Sequence, residues 1–167
     1  MRMLLPKLYV PSLLELRFEV LEKHGIQGLI LDLDNTLVVR NRYEVPEAIR
    51  KWIAEAKARG FKLCLTSNSN NRWRVQHIAE GLSIPYVAWA MKPRRWGFRT
   101  GMELMGTAPE ATAVIGDQMF TDIWGGNRLG LFTVLVQPMS TNDFFATKWL
   151  RRVERWLLRR RERAEEV

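Results

Sequence analysis

Short apolar runs alternate along this chain with segments whose apolar residues recur every three or four positions. Leu29-Ile30-Leu31, residues 61–66, Ile84–Ala88, residues 111–115 and Leu131–Val136 are five such runs. Each has the length of a buried strand, the first reaching over about 28–33. Between them, Ile49, Trp52, Ile53 and Ala56 share one helical face behind Pro46 and ahead of Gly60. A further helix is predicted over about 71–80, stopping at Gly81, and Phe98, Met102 and Met105 mark another over about 97–105. A short one leads to Leu129-Gly130. Ahead of the first strand, Ser12-Leu13-Leu14-Glu15 has capping-box form and opens a helix with Leu14, Phe18 and Leu21 on one side, closed by His24-Gly25. Parallel crossovers each need a helix, so this alternation predicts α/β class: a parallel sheet of about five strands, covered on both faces.

The pattern changes near the C-terminus. Over 143–163, Phe145, Trp149, Leu150, Val153, Trp156 and Leu157 fall on one helical side, and Lys148, Arg151, Arg152, Arg155 and Arg159 on the other. The chain therefore divides into an α/β domain, 1–142, which includes the N-terminal helix, and a basic amphipathic helix or tail, 143–167. From Lys148 onward there are eight Lys/Arg and four Glu, which is half of the chain's net charge of +8. That excess points to an acidic partner: anionic lipid, nucleic acid or a phosphorylated substrate.

Length and content, 167 residues and 47% apolar, suit one globular domain. No apolar run approaches the ~18 residues of a membrane-spanning helix. The opening MRMLLPKLYVPS is broken by Pro6 and Pro11 and does not read as a signal peptide. The single cysteine, Cys64, excludes an internal disulfide and suits a reducing cytosol, so a cytoplasmic location is expected. Lying inside FKLCL, it reads as core filler.

Aspartate is scarce. Four of the five, Asp32, Asp34, Asp117 and Asp122, form two tight clusters, each at the exit of a predicted strand. The exit of an α/β strand is where ligands bind. Two other exits carry different chemistry, Ser67-Asn68 and Lys92. Asp and Asn are also ordinary turn residues, but each of these types has a use if the target is a phosphate ester. A carboxylate can attack phosphorus, a second one two residues on can move protons, and further carboxylates suit Mg²⁺. A hydroxyl and an ammonium then serve the phosphoryl oxygens.

DLDNTL at 32–37, Ser67-Asn68, Lys92 and GDQMFTD at 116–122 follow one another in the order of the four motifs of the haloacid dehalogenase superfamily, which residues 26–136 resemble. The resemblance implies a Rossmann-like α/β/α core and an Mg²⁺-dependent phosphatase working through an aspartyl-phosphate. It implies Asp32 as nucleophile and metal ligand, and Asp34 as general acid/base that also gives its backbone carbonyl to the metal. Asp117 would complete the metal site, with Asp122 a ligand through water or a partner of Lys92. Ser67, with Thr66 as competitor, would bind the phosphoryl group beside Lys92, and Asn35, Thr36 and Asn68 would line the substrate site. Asn35 stands where the family usually has Gly, and Asn tolerates the left-handed backbone needed there. This variant resembles class IIIA. More narrowly, LLPKLYVPSLLEL, DLDNTL, SNSN and AMKPRRWGF are similar to the YqeG-like family, itself similar to the mitochondrial phosphatidylglycerophosphate phosphatases.

The spacings leave no room for a cap domain after the first motif or between the second and third. A capless site suits a large substrate: a lipid headgroup at a bilayer, a phosphoprotein or a nucleic-acid end. The tail favours an anionic phospholipid and peripheral contact with the inner face of a membrane, although its apolar stripe can equally pack on the sheet. Arg94 and Arg95 can grip a second phosphate or stay solvated. A non-catalytic protein associated with RNA or the ribosome is the remaining alternative.

Overall fold

Six parallel strands form one sheet in the order β1-β6-β5-β2-β3-β4. The strands are β1 (Leu8–Val10), β2 (Gly28–Leu31), β3 (Lys62–Thr66), β4 (Tyr86–Val87), β5 (Thr112–Gly116) and β6 (Phe132–Val136). The computed structural model describes residues 2–140. The predicted helix at 143–163 lies outside them. The helices are α1 (Phe18–Lys23), α2 (Glu47–Ala58), α3 (Arg72–Leu82), α4 (Arg95–Met105) and the single turn α5 (Trp124–Asn127).

Side chains alternate across the sheet and separate two cores. Leu29, Leu31, Leu63, Leu65, Ala113 and Ile115 face one side, where α1, α2 and α3 bring Phe18, Trp52, Ile53 and Ile78. Ile30, Cys64 and Val114 face the other, against Phe98, Met102 and Met105 of α4. Cys64 is thus buried filler, and burial pushes its thiol up to about 11. This layering is the three-layer α/β/α arrangement expected from the alternation. Residues 32–46, between β2 and α2, hold no further helix or strand beyond an isolated bridge from Asp34 to Val38, so no cap is inserted there. Between β3 and β4 lies only α3.

Three local expectations need correction. The sheet has a sixth strand, β1, which pairs with β6 in register Leu8–Val134 to Val10–Val136. The N-terminal helix is broken. Ser12 does cap, its hydroxyl accepting from Leu14 N at 3.2 Å, but over a 3₁₀ turn, Leu13–Glu15, that ends in extended backbone at Leu16 and Arg17. The break lets Leu13, Leu16, Phe18 and Leu21 all be buried, while Leu14, expected inside, is 48% exposed. A continuous helix, turning about 100° per residue, would spread those four over too wide an arc. Finally, α3 runs through Gly81 to Leu82 and closes on Ser83, which has φ 53°.

Candidate active site

The strand order sets the site. Central β2 has β3 on one side and β5 on the other, so Asp32 leaves the sheet between the Ser67 loop and the Asp117 loop. Its amide donates to Ile115 O at 3.0 Å, continuing the ladder one residue past the strand. Asp32, Asp117 and Asp122 then converge, with one carboxylate oxygen from each lying within 4.8 Å of the others.

Lys92 comes from the β4–α4 loop into the middle of this cluster. Its Nζ donates to Asp32 Oδ1 at 2.7 Å and to Asp122 Oδ1 at 2.6 Å. Lys92 and Asp122 are both essentially sealed from solvent. Burial works against the ammonium, but the Asp122 and Asp32 carboxylates outweigh it and hold Lys92 above its ordinary pKa. Asp122 is pushed up to about 6, by burial first, with Lys92 pulling it down and Asp32 adding to the rise. Asp117 is pushed up to about 8 by burial and by the charges of Asp32 and Asp122. Its Oδ1 is buried and has no hydrogen-bond partner among the described residues. A buried carboxylate oxygen left unsatisfied, beside two more carboxylates, is a set of hard oxygen donors that fits Mg²⁺.

The backbone around the fourth motif is shaped for this. Asp122 N bonds to Gln118 O at 3.0 Å and Ile123 N to the same oxygen at 3.3 Å, giving a widened π-type turn over Met119–Ile123. Such turns often mark functional sites. It brings the Asp122 side chain so close over Gly116 that a Cβ there would meet it at 2.2–2.7 Å. Gly116 is needed for that approach.

The second-motif residues divide by role. Ser67 is buried at the mouth of β3, its hydroxyl accepting from Ser69 N at 3.1 Å. Thr66 points the other way, its hydroxyl 3.8 Å from Cys64 Sγ and packed beneath Gly101 of α4. Asn68 uses both ends of its amide on Lys92: Nδ2 donates to Lys92 O at 2.8 Å and Oδ1 accepts from Lys92 N at 2.7 Å. It therefore positions the lysine. Asn35 adopts φ 61°, as expected, and its Oδ1 accepts from Arg40 N and the Ser140 hydroxyl. Thr36 donates to Asp32 Oδ2 at 3.4 Å. Arg94 and Arg95 are exposed and form no ion pair among the described residues.

Asp34 stands apart from the three-carboxylate cluster. Arg74 of α3 takes it bidentately, Nη2 to Oδ1 at 2.7 Å and Nη1 to Oδ2 at 3.3 Å, and Asn41 N adds a bond at 3.2 Å. Arg74 is itself fixed by Nε donating to Arg42 O at 2.9 Å, and it is only 3% exposed. Sequence reasoning missed it. The signal was there: position 74 lies on the same helical stripe as Val75, Ile78, Ala79 and Leu82, where an arginine has to be paired.

Comparisons with known proteins identify the family. Residues 13–130 match the family model of haloacid dehalogenase-like hydrolases. The chain is 39% identical over 154 residues to a probable phosphatase, YqeG, of Bacillus subtilis, covering 92% of this chain and 89% of that one. It is 29% identical over 165 residues to phosphatidylglycerophosphate phosphatase 1 of Arabidopsis thaliana, and there spans 93% of this chain but 47% of the relative. Among solved structures, an uncharacterized protein from Listeria monocytogenes superposes with a TM-score of 0.58 at 17% identity, covering 71% of this chain and 84% of that one. The chain belongs to the haloacid dehalogenase-like hydrolases and, within them, to the YqeG-like phosphatases.

Proposed function

We propose that this phosphatase is an Mg²⁺-dependent phosphomonoesterase that works through an aspartyl-phosphate on Asp32, and that its substrate is phosphatidylglycerophosphate or a closely similar anionic phospholipid. The observation that carries the mechanism is the placement of Asp32, a carboxylate at a strand exit beside Lys92, Asp117 and Asp122. Asp32, Asp117 and Asp122, with the Asp34 carbonyl, would hold the ion, which when bound offsets the charge between nucleophile and substrate.

An Asp32 carboxylate oxygen attacks phosphorus as the P–O bond to the leaving group breaks. The leaving oxygen takes a proton from the Asp34 carboxyl group. Water then attacks phosphorus, Asp34 takes its proton, and the bond from phosphorus to Asp32 breaks to release inorganic phosphate. Ser67 and Lys92 donate to the phosphoryl oxygens, where most of such catalysis lies in positioning and charge. Thr66 is packed away beneath α4, which supports Ser67 in that role. Asp34 must free at least one oxygen from Arg74 to reach the leaving group, so Arg74 acts as a positioning residue.

The substrate reading rests on the similarity to the plant lipid phosphatase and on the absence of an inserted cap. No helix among the described residues is long and apolar enough to cross a membrane. The test compares phosphate release from phosphatidylglycerophosphate in mixed micelles with release from phosphopeptides and end-phosphorylated oligonucleotides. Higher kcat/KM on the lipid is expected. Equal or lower activity on it transfers the assignment to a phosphoprotein or a nucleic-acid end.

A further inference from the structure

Three tryptophans among the described residues are exposed: Trp73 at 65%, Trp89 at 64% and Trp96 at 49%. All three belong to the edge where the strands end. Trp73 is in the first turn of α3, Trp89 follows β4 and Trp96 opens α4. Exposed Val39 and Met91 lie in the loops of that same edge. We propose that this edge seats on an anionic phospholipid bilayer, with the indoles in the headgroup layer and the active-site mouth facing the lipid. The inference rests on the lipid reading of the substrate and adds the surface that meets the lipid.

The loop carrying Trp89 is held in place. Trp89 N donates to Ser69 O at 3.2 Å and Ala90 N to Ser67 O at 2.8 Å, tying the loop to the second motif. Trp89 and Met91 both have left-handed backbone, φ 50° and 52°, which large side chains rarely adopt. Backbone strain of this kind collects at functional positions, and here it turns two large apolar side chains outward. Trp73 is braced differently, stacked on His77 with ring centroids 5.2 Å apart and beside Tyr43 at 5.9 Å.

Charge indicates the partner. Residues 35–43, 67–79 and 88–102 contain no Asp or Glu. Between them they carry exposed Arg40, Arg42, Arg72, Arg94, Arg95 and Arg99. Exposed Glu44, Glu80 and Glu103 stand one residue past the three stretches, and Asp34 is already occupied by Arg74. Indoles with cations around them are the residues that sit at the membrane–water boundary. Aliphatic Val39 and Met91 on the same edge favour an acyl boundary over stacked bases, because an aliphatic side chain offers no stacking face. A phosphomonoester on such a surface faces Asp32 without leaving the bilayer.

The test uses the full chain and vesicles that contain no phosphomonoester, so its outcome is independent of which substrate is cleaved. Wild type is expected to co-sediment with phosphatidylcholine vesicles containing phosphatidylglycerol and not with phosphatidylcholine alone. The triple variant Trp73→Gln/Trp89→Asn/Trp96→Gln is expected to bind the anionic vesicles about tenfold or more weakly, while keeping kcat/KM on p-nitrophenyl phosphate. The single variant Trp89→Asn, suited to the left-handed backbone, gives a second reading and is expected to bind about threefold more weakly. Undiminished binding by either variant overturns the proposal, as does failure of wild type to bind anionic vesicles. Tryptophan-dependent binding of a single-stranded oligonucleotide in place of vesicles overturns it too. Loss of vesicle binding in the variants, with no preference for the lipid in the micelle comparison, leaves this surface standing and removes the substrate assignment.

Discussion

Lys92 is the residue on which the electrostatics of the site depend. It lies between Asp32 and Asp122 with its own side chain buried, so removing it leaves buried carboxylates without their cation. Breaking a buried pair in this way costs ~3–5 kcal/mol. Lys92→Met is therefore expected to lower the Tm of the metal-free protein as well as its activity, which thermal melts with and without Mg²⁺ would show. Asp117 behaves in the opposite sense. Its carboxyl titrates near 8 in the folded chain against an ordinary value of 3.8, so from about pH 4 to pH 8 the native state binds more protons than the unfolded one. Stability of the metal-free protein due to this group falls as pH rises through that window. Asp117→Asn is expected to raise the metal-free Tm at pH 8, by ~2–4 °C for each kcal/mol recovered, and to abolish the Tm rise on adding Mg²⁺. A metal-free Tm at pH 8 unchanged by the substitution would contradict the assignment.

At the scale of elements, two short pieces of backbone position the chemistry. Gly116 ends β5 directly under Asp122, and a methyl group there would collide with that carboxylate. Gly116→Ala is expected to lower kcat on an aryl phosphate by about 10²-fold or more, the range in which misplacement by about 1 Å is felt. Near-normal kcat with a normal melt would show that Asp122 has room to move. The other piece is the first turn of α3, which delivers Arg74 to Asp34. Arg74→Lys keeps the charge but loses the two-pronged grip, and a drop in kcat with little change in KM is expected. An equal rise in KM would place Arg74 on the substrate instead. These elements also show what the sequence reveals and what it conceals. Asp32, Ser67, Lys92 and Asp117 were legible because each follows an apolar run, and a strand exit in an α/β sheet is a place of known use. Arg74 was hidden because its partner is 40 residues away and only packing shows that its helical face is buried. Strand β1 was hidden because three residues between Pro6 and Pro11 have no period, and their pairing with β6 is entirely non-local. The broken N-terminal helix was hidden because Leu14, Phe18 and Leu21 fit helical spacing, while burial of Leu13 and Leu16 was worth more.

For the whole molecule, a parallel sheet brings chemically unlike residues to one edge because every strand ends there. Asp32, Lys92, Asp117, Asp122, Arg74 and the exposed tryptophans are spread over most of the described chain, yet they share that edge. With no inserted cap to close the mouth, selectivity has to come from the surface around it. The proposed chemistry turns on whether Asp32 carries the phosphoryl group. The most direct measurement is acid quenching of the Mg²⁺-loaded enzyme during turnover of p-nitrophenyl phosphate, followed by peptide mass analysis, with Asp32→Asn in parallel. A phosphoryl adduct on the peptide containing Asp32 is expected, with adduct and turnover both lost in a variant that melts like wild type. Normal turnover by Asp32→Asn, or an adduct on a different residue, would contradict it.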